Sequence, residues 1–142
     1  MPEVFELPSV RSLGVTIASI TDGAHSNAGT EIDFSKIGQP YGWFRYSGTN
    51  AVAPNAGATI LVYQLIAPYG DGVYSTGSAS VSPLEDRLVA TIHVGAATGA
   101  QVRDSDYAII APFPSKFIIK NNTGQTLDAT ATLSFVGSNT RT

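Results

Sequence analysis

The chain has 142 residues and a mass of 14.8 kDa, and it carries a formal net charge of −3 at pH 7. It contains no cysteine, which excludes disulfide bridges and thiolate metal sites. Its 8 lysine and arginine residues are scattered along the chain, and this argues against binding to the phosphates of a nucleic acid.

Residues 1–11 are predicted to form an extended N-terminal arm, because Pro2 and Pro8 oppose a helix. The segment carries three closely spaced apolar side chains: Val4, Phe5 and Leu7. They favour an arm that becomes ordered only on a neighbouring subunit, although a frayed terminus is the commoner behaviour of such a segment. One β-domain is expected over residues 12–137, followed by a polar tail at 138–142.

Alternation of apolar and polar residues predicts a series of short strands separated by turns. The strands are expected at 13–20, 31–35, 41–47, 59–67, 88–94, 107–111, 116–120 and 127–135. Turn chemistry predicts hairpins at 69–74 and at 121–125, where Gly124 suits a positive φ. One helical turn is expected at 82–86. The pattern predicts an all-β fold, an antiparallel β-sandwich or jelly-roll-like barrel of about eight strands.

Two of the predicted strands end in similar sequences. Ile66-Ala67-Pro68-Tyr69 and Ile110-Ala111-Pro112-Phe113 both lead from a strand into Ala-Pro-aromatic. One such pair does not establish an internal repeat, but it suggests that two strands leave a sheet in similar ways.

The predicted strand at 59–67 is apolar on both faces, and between Arg45 and Glu85 the only charged residue is Asp71. Such a strand is covered on both sides by its own chain, or on one side by a partner. Only 13% of all residues are charged, against about 25% in an ordinary globular protein. This indicates either a surface rich in Ser and Thr or a surface covered in an assembly. A homo-oligomer is predicted, because a monomer that exposed this strand would carry a large apolar patch.

An aromatic cluster lies on the predicted strand at 41–47, and its members are Tyr41, Trp43, Phe44 and Tyr46. Alternation puts Trp43 on the same face as Tyr41 and Phe44 on the opposite face. One face is expected to be core. The other is an ordinary surface, a platform on which sugars stack, or a contact with another subunit.

No arrangement typical of catalysis is present in the sequence. The two histidines are His25, in a loop of Gly, Ser and Asn, and His93, on a predicted strand, and no Gly-x-Ser-x-Gly motif occurs. Glu31 and Asp33 share a strand face, but such a pair is usually the solvent side of a strand. The Asp-Ser-Asp sequence at 104–106 offers oxygen ligands to calcium, although aspartate in a loop more often bonds within a turn. The chain is therefore predicted to be no enzyme and to bind no cofactor or metal.

The segment 114–127, PSKFIIKNNTGQTL, resembles a strand–loop–strand ending of phage structural proteins. Together with the arm and the Cys-free, low-charge body rich in Gly, Ala, Thr and Ser, it makes the chain similar to tailed-bacteriophage virion proteins. The closest resemblance is to small β-sandwich capsid decoration (cement) proteins. The start of the chain lacks the basic and apolar regions of a signal peptide, and no apolar run reaches the roughly 20 residues of a membrane helix.

The resemblance implies a non-enzymatic virion protein, made in the host cytoplasm, that binds and stabilises a capsid shell, often as a trimer between hexamers and pentamers. Its implied partners are the major capsid protein or other virion subunits, and not nucleic acid or membrane. A tail or baseplate component and a lectin-like carbohydrate-binding module are the alternatives. The subunit interface is expected to include Val4, Phe5, Leu7, Trp43, Tyr63 and His93.

Overall fold

Two antiparallel sheets enclose a shared core, which confirms the all-β fold predicted from the sequence. The computed structural model describes residues 4–5, 10–17, 20–37, 41–128, 130–138 and 140–141. Strands account for 44% of the chain and helix for 5%. In chain order the elements are β1 (Val4–Phe5), β2 (Val10–Ser12), β3 (Ile32–Asp33), α1 (Phe34–Ile37), β4 (Tyr41–Asn50), β5 (Thr59–Ile66), β6 (Leu88–His93), β7 (Gly99–Asp104), β8 (Ala108–Ile109), β9 (Pro114–Asn122), β10 (Thr132–Ser138) and β11 (Thr140–Arg141).

The strands of each sheet come from distant parts of the chain. The first sheet has the order β2-β10-β4-β7, and β8 also pairs with β4. The second sheet has the order β3-β9-β5-β6. β1 and β11 form a separate antiparallel pair in which Val4 lies opposite Arg141. β2 begins at Val10, so the end of the predicted arm belongs to the first sheet.

Four phenylalanines fill the centre of the core between the two sheets. They come from α1, β4, β9 and β10, and they are Phe34, Phe44, Phe117 and Phe135. Their ring centroids are 5.2–5.9 Å apart, and the Phe34 ring meets two of its neighbours edge to face. Strand alternation brings Phe44, Phe117 and Phe135 inward, because every second residue of a strand points to the same face, and Phe34 is added from α1.

The outer face of β5 is covered by the chain itself and not by a partner. Tyr63 and Leu65 on β5 are buried together with Ile118 on the neighbouring β9. The long connection from β5 to β6 lies over them, since a Cβ placed on Gly77 would come within 3.1 Å of both Leu65 and Ile118. The Ser75 N–H anchors this connection on the Ile66 carbonyl at 2.9 Å. The apolar character of β5 therefore gives no reason to expect an oligomer.

Two of the predicted strands differ from the structure. No strand forms over 13–17, where Gly14 takes a φ of +67° and interrupts an extended ladder, although Leu13 and Ile17 are buried. Of the strand predicted at 31–35 only β3 exists, and the chain then turns into α1. The Asp33 carboxylate promotes this turn by accepting hydrogen bonds from the N–H and the hydroxyl of Ser35.

The two predicted hairpins are turns but do not join paired strands. At 69–74 the Asp71 carboxylate accepts the Val73 N–H at 3.0 Å, and no strand flanks the turn. At 121–125 Gly124 has the expected positive φ of +79°, but the turn joins β9 in one sheet to the segment that leads to β10 in the other. The local turn chemistry was predictable, whereas the sheet that each strand would join was not.

The remaining differences concern strand ends and one further strand. β10 begins only at Thr132, although Leu127 and Leu133, which occupy alternate apolar positions of the strand predicted at 127–135, are buried. Alternation along the strand predicted at 88–94 puts Leu88 on the same face as the buried Ala90 and Ile92, but the register of β6 shifts beside Tyr63 and this bulge leaves Leu88 exposed. β7 was not predicted at all. The helical turn predicted at 82–86 exists as one 3-10 turn over Glu85–Arg87.

Candidate interaction surface

The outward side of the first sheet carries an apolar surface, which we call the aromatic face. It is made of six side chains from four strands and one loop: Val10, Tyr41, Trp43, Tyr107, Ile109 and Val136. Five of them are exposed, including Trp43 at 39%, Tyr107 at 53% and Ile109 at 72%. A cluster of exposed apolar side chains of this kind is a candidate contact site.

The register of the first sheet places these residues side by side. Trp43 on β4 lies opposite Val136 on β10, and Val136 in turn lies opposite Val10 on β2. On the other side of β4, Tyr41 lies opposite Ile109 on β8. Because all of these positions share one side of the pleat, the aromatic face runs across the sheet and not along one strand.

The Tyr107 ring contacts both other aromatic rings of this face. The rings of Tyr41 and Tyr107 stack with centroids 5.3 Å apart and an angle of 16° between their planes. The Trp43 ring meets Tyr107 at 5.1 Å and 62°. Tyr107 is held in this position because the Phe44 N–H donates to the Ser105 hydroxyl at 3.0 Å, which ties the loop before β8 to β4. The rings therefore form a preformed group on a rigid support.

An ion pair between Arg45 and Asp104 borders the aromatic face, and the two charges compensate each other. The guanidinium of Arg45 donates to both carboxylate oxygens of Asp104, with Nε–Oδ1 at 2.6 Å and Nη2–Oδ2 at 2.8 Å. These hydrogen bonds hold the pKa of Asp104 below its ordinary value and that of Arg45 above its own. The pair and Trp43 line a depression of about 490 Å³. The face therefore presents planar groups with no net charge.

The residues expected at a subunit interface do not all lie on one surface. Trp43 is on the aromatic face, and His93 is exposed on the edge strand of the second sheet, where it lines a depression of about 270 Å³ that Tyr107 of the aromatic face also lines. Tyr63 is only 2% exposed beneath the connection from β5 to β6, so its side chain cannot reach a second subunit. Val4 and Phe5 are described only as part of β1, and Leu7 lies outside the described residues.

The residues considered for catalysis and calcium binding have other roles. His25 forms a β-bridge with Lys120, and its partial burial, followed by the charge of Lys120, lowers the pKa of its imidazole. Asp104 ends β7 and is engaged by Arg45, so it does not lie in a loop as predicted. Within the part of the chain that the structure describes, no three His, Asp or Glu side chains gather in a way that could hold a metal ion.

Sequence reasoning found Trp43 and Tyr41 on this surface but missed the other members. Tyr107 precedes buried Ala108, and the alternation of buried Ala108 and Ile110 with exposed Ile109 was a signal that this short strand has an outer side. Val10 and Val136 had no such signal, because they join the face only through pairing between distant strands.

No known protein family has a sequence model that matches this chain, and no curated protein is similar to it in sequence. Among the described residues, none of the helices has the length and apolar character needed to cross a lipid bilayer.

Proposed function

We propose that the chain is a non-enzymatic structural subunit of a phage particle, which binds the capsid shell as a decoration protein through its aromatic face. The observation that supports this function best is the group of exposed rings of Tyr41, Trp43 and Tyr107 on a rigid sheet. The capsid as the partner is inferred from the resemblance of the sequence to decoration proteins.

The chemistry of the aromatic face suits a protein partner. Interface cores are enriched in aromatic residues and depleted in unpaired charge, and the few residues that dominate binding are often Trp, Tyr and Arg. The face offers Trp43 and two tyrosines, and its Arg45 is already paired. A complex of this kind buries about 800 Å² on each partner, so the aromatic face would be its centre and the surrounding Ser and Thr side chains its polar rim.

A carbohydrate-binding module is the second candidate, because exposed tryptophan and tyrosine rings can stack on sugars. Two features argue against it. The Tyr41 and Tyr107 rings cover each other, so each has lost one free side. The aliphatic side chains of Val10, Ile109 and Val136 cannot bond to sugar hydroxyls, and the carboxylate of Asp104 is occupied by Arg45.

Particle association is the experiment that tests the proposal. Virions purified from the natural source should contain the chain at a fixed stoichiometry, measured by mass spectrometry. Recombinant protein should sediment with particles that lack it, and Trp43→Ala should weaken this binding at least about tenfold, as expected for a tryptophan at the centre of an interface. Leu84→Ala is the matched control, because Leu84 is an exposed apolar residue far from the aromatic face in sequence.

Three outcomes would contradict the proposal. Absence of the chain from purified particles would exclude a role in the virion. Equal binding by Trp43→Ala and the wild type would exclude the aromatic face as the contact. Binding to a glycan array that is lost in Trp43→Ala would favour the carbohydrate-binding module. The trimer implied by the resemblance is a separate part of the proposal, and sedimentation equilibrium of the purified protein decides it.

A further inference from the structure

A cleft of about 600 Å³ lies at the end of the second sheet where β5 stops and β9 starts, and none of the aromatic-face residues lines it. Three segments line it: 31–36, 68–72 and 112–114. We propose that this cleft binds an extended, proline-containing segment of a partner protein that carries arginine or lysine. This inference goes beyond the proposed function and does not depend on it.

Both Ala-Pro-aromatic sequences end at this cleft. Pro68-Tyr69 follows β5, Pro112-Phe113 precedes β9, and all four residues line the same space. The two segments are joined by a hydrogen bond from the Ala67 N–H to the Pro114 carbonyl at 2.9 Å. The two similar sequences therefore meet in space, because β5 ends and β9 begins at adjacent positions of the second sheet, and each delivers a proline and an aromatic ring to one cleft.

A buried glutamine fixes one wall of the cleft. Gln64 is 2% exposed, and its amide donates to the Ala111 carbonyl and accepts the Ala111 N–H, both at 3.1 Å. The same amide group also donates to the Ser115 hydroxyl at 2.8 Å. These bonds hold the backbone on both sides of Pro112, Phe113 and Pro114. The wall is therefore formed before any partner arrives, which lowers the entropy lost on binding.

The segment 31–36 brings three charged side chains to the cleft, and their net charge is negative. Glu31 is exposed and makes no ion pair with the described residues, whereas Asp33 is paired at 3.6 Å with the ammonium of Lys36, which also lines the cleft. Hydrogen bonds from Ser35 hold the pKa of Asp33 below its ordinary value, so this carboxylate is charged at neutral pH. Because Asp33 and Lys36 compensate each other, Glu31 supplies the unpaired negative charge of the cleft lining.

The two walls together define the chemistry of the occupant. Grooves lined by aromatic rings accept proline-rich segments in the polyproline II conformation. The proline rings of the bound segment pack on the walls, and its backbone loses little entropy because it is already extended. Glu31 then favours a cationic side chain on the same segment, and the Tyr69 ring, which is 89% exposed, offers its face to that cation. An acidic segment would be repelled, and a polar flexible one would leave the rings uncovered.

Fluorescence anisotropy with the full chain tests this proposal. The probe is a fluorescein-labelled peptide of repeated Pro-Pro-Arg, compared with repeated Pro-Pro-Glu and repeated Gly-Ser-Arg. We expect Pro-Pro-Arg to bind best and Pro-Pro-Glu not to bind. Glu31→Gln should weaken binding about three- to fivefold, as for an exposed ion pair, and Tyr69→Ala about tenfold. Both residues are exposed, so neither variant should lose its fold, which circular dichroism checks.

Matched controls separate the cleft from the rest of the surface. Glu85→Gln removes another exposed carboxylate and Tyr107→Ala another exposed ring, and both should bind the Pro-Pro-Arg probe like the wild type. Equal binding of Pro-Pro-Arg and Gly-Ser-Arg, or unchanged binding by Glu31→Gln and Tyr69→Ala, would overturn the proposal. The cleft and the aromatic face share no residue. A negative result with the peptides therefore does not contradict the proposed function, and a negative result with particles does not contradict peptide binding in the cleft.

Discussion

Replacing Phe44 with alanine should lower the free energy of unfolding by about 3–5 kcal/mol, the loss typical of a fully buried phenylalanine. Phe44 is completely buried, and its ring lies 5.2–5.3 Å from the rings of Phe117 in the second sheet and Phe135 in the first sheet. The cavity cannot close easily, because both rings are held by strands of different sheets. Urea unfolding followed by circular dichroism measures the loss.

The adjacent residue is the control. Trp43 lies on the same strand but points to the aromatic face, so Trp43→Ala should cost only about 1–1.5 kcal/mol of stability. The same variant is the one expected to lose particle binding. Equal destabilisation by the two substitutions would contradict the assignment of the two faces of β4, and with it the basis of the aromatic face.

Replacing Asn121 with alanine should cost about 2–4 kcal/mol of stability, although a small polar residue is removed. Asn121 is completely buried, and its amide group donates to the carbonyls of Ile20 at 2.8 Å and Gln125 at 2.6 Å. Its oxygen accepts the Thr123 N–H at 3.0 Å. Alanine leaves this N–H without an acceptor in the interior, and it removes the side-chain hydrogen bond between Asn121 and the Ile20 carbonyl.

Asn122 provides the matched control for this effect. It is the next residue of the same strand, but its side chain is exposed, so Asn122→Ala should change the stability by no more than about 0.5 kcal/mol. Thermal unfolding of both variants under identical conditions gives the comparison. A similar melting temperature for the two variants would show that the Asn121 amide does not hold this turn in place.

Local patterns in the sequence predicted the elements whose residues carry their own signal. Both faces of β4 followed from the alternation of Tyr41, Trp43, Phe44 and Tyr46, and the span of β5 followed from its apolar run. The segment at 13–17 was predicted wrongly, because the β-propensity of its residues outweighed one glycine whose conformation depends on its surroundings. Local propensity also does not predict which of the two sheets a strand joins.

The candidate surfaces were predictable only in part for the same reason. Alternation placed Trp43 on the strand face opposite Phe44, as the structure has it, but the aromatic face also needs Val136 and Val10, which reach it through pairing across about 90 and about 130 residues of chain. In the cleft, the two Ala-Pro-aromatic sequences were visible, but their meeting depends on the pairing of β5 with β9. Burial of Tyr63 could not be foreseen either, since it depends on how an irregular connection lies over β5.

The strand order also determines when the protein can fold during its synthesis. β9 lies between β3 and β5, and β10 lies between β2 and β4, so each sheet takes an interior strand from residues 114–138. A nascent chain on the ribosome has neither sheet complete until these residues have emerged from the exit tunnel. Until then β4 and β5 have unpaired edges and exposed apolar faces, which makes the growing chain a substrate for chaperones that bind unfolded segments.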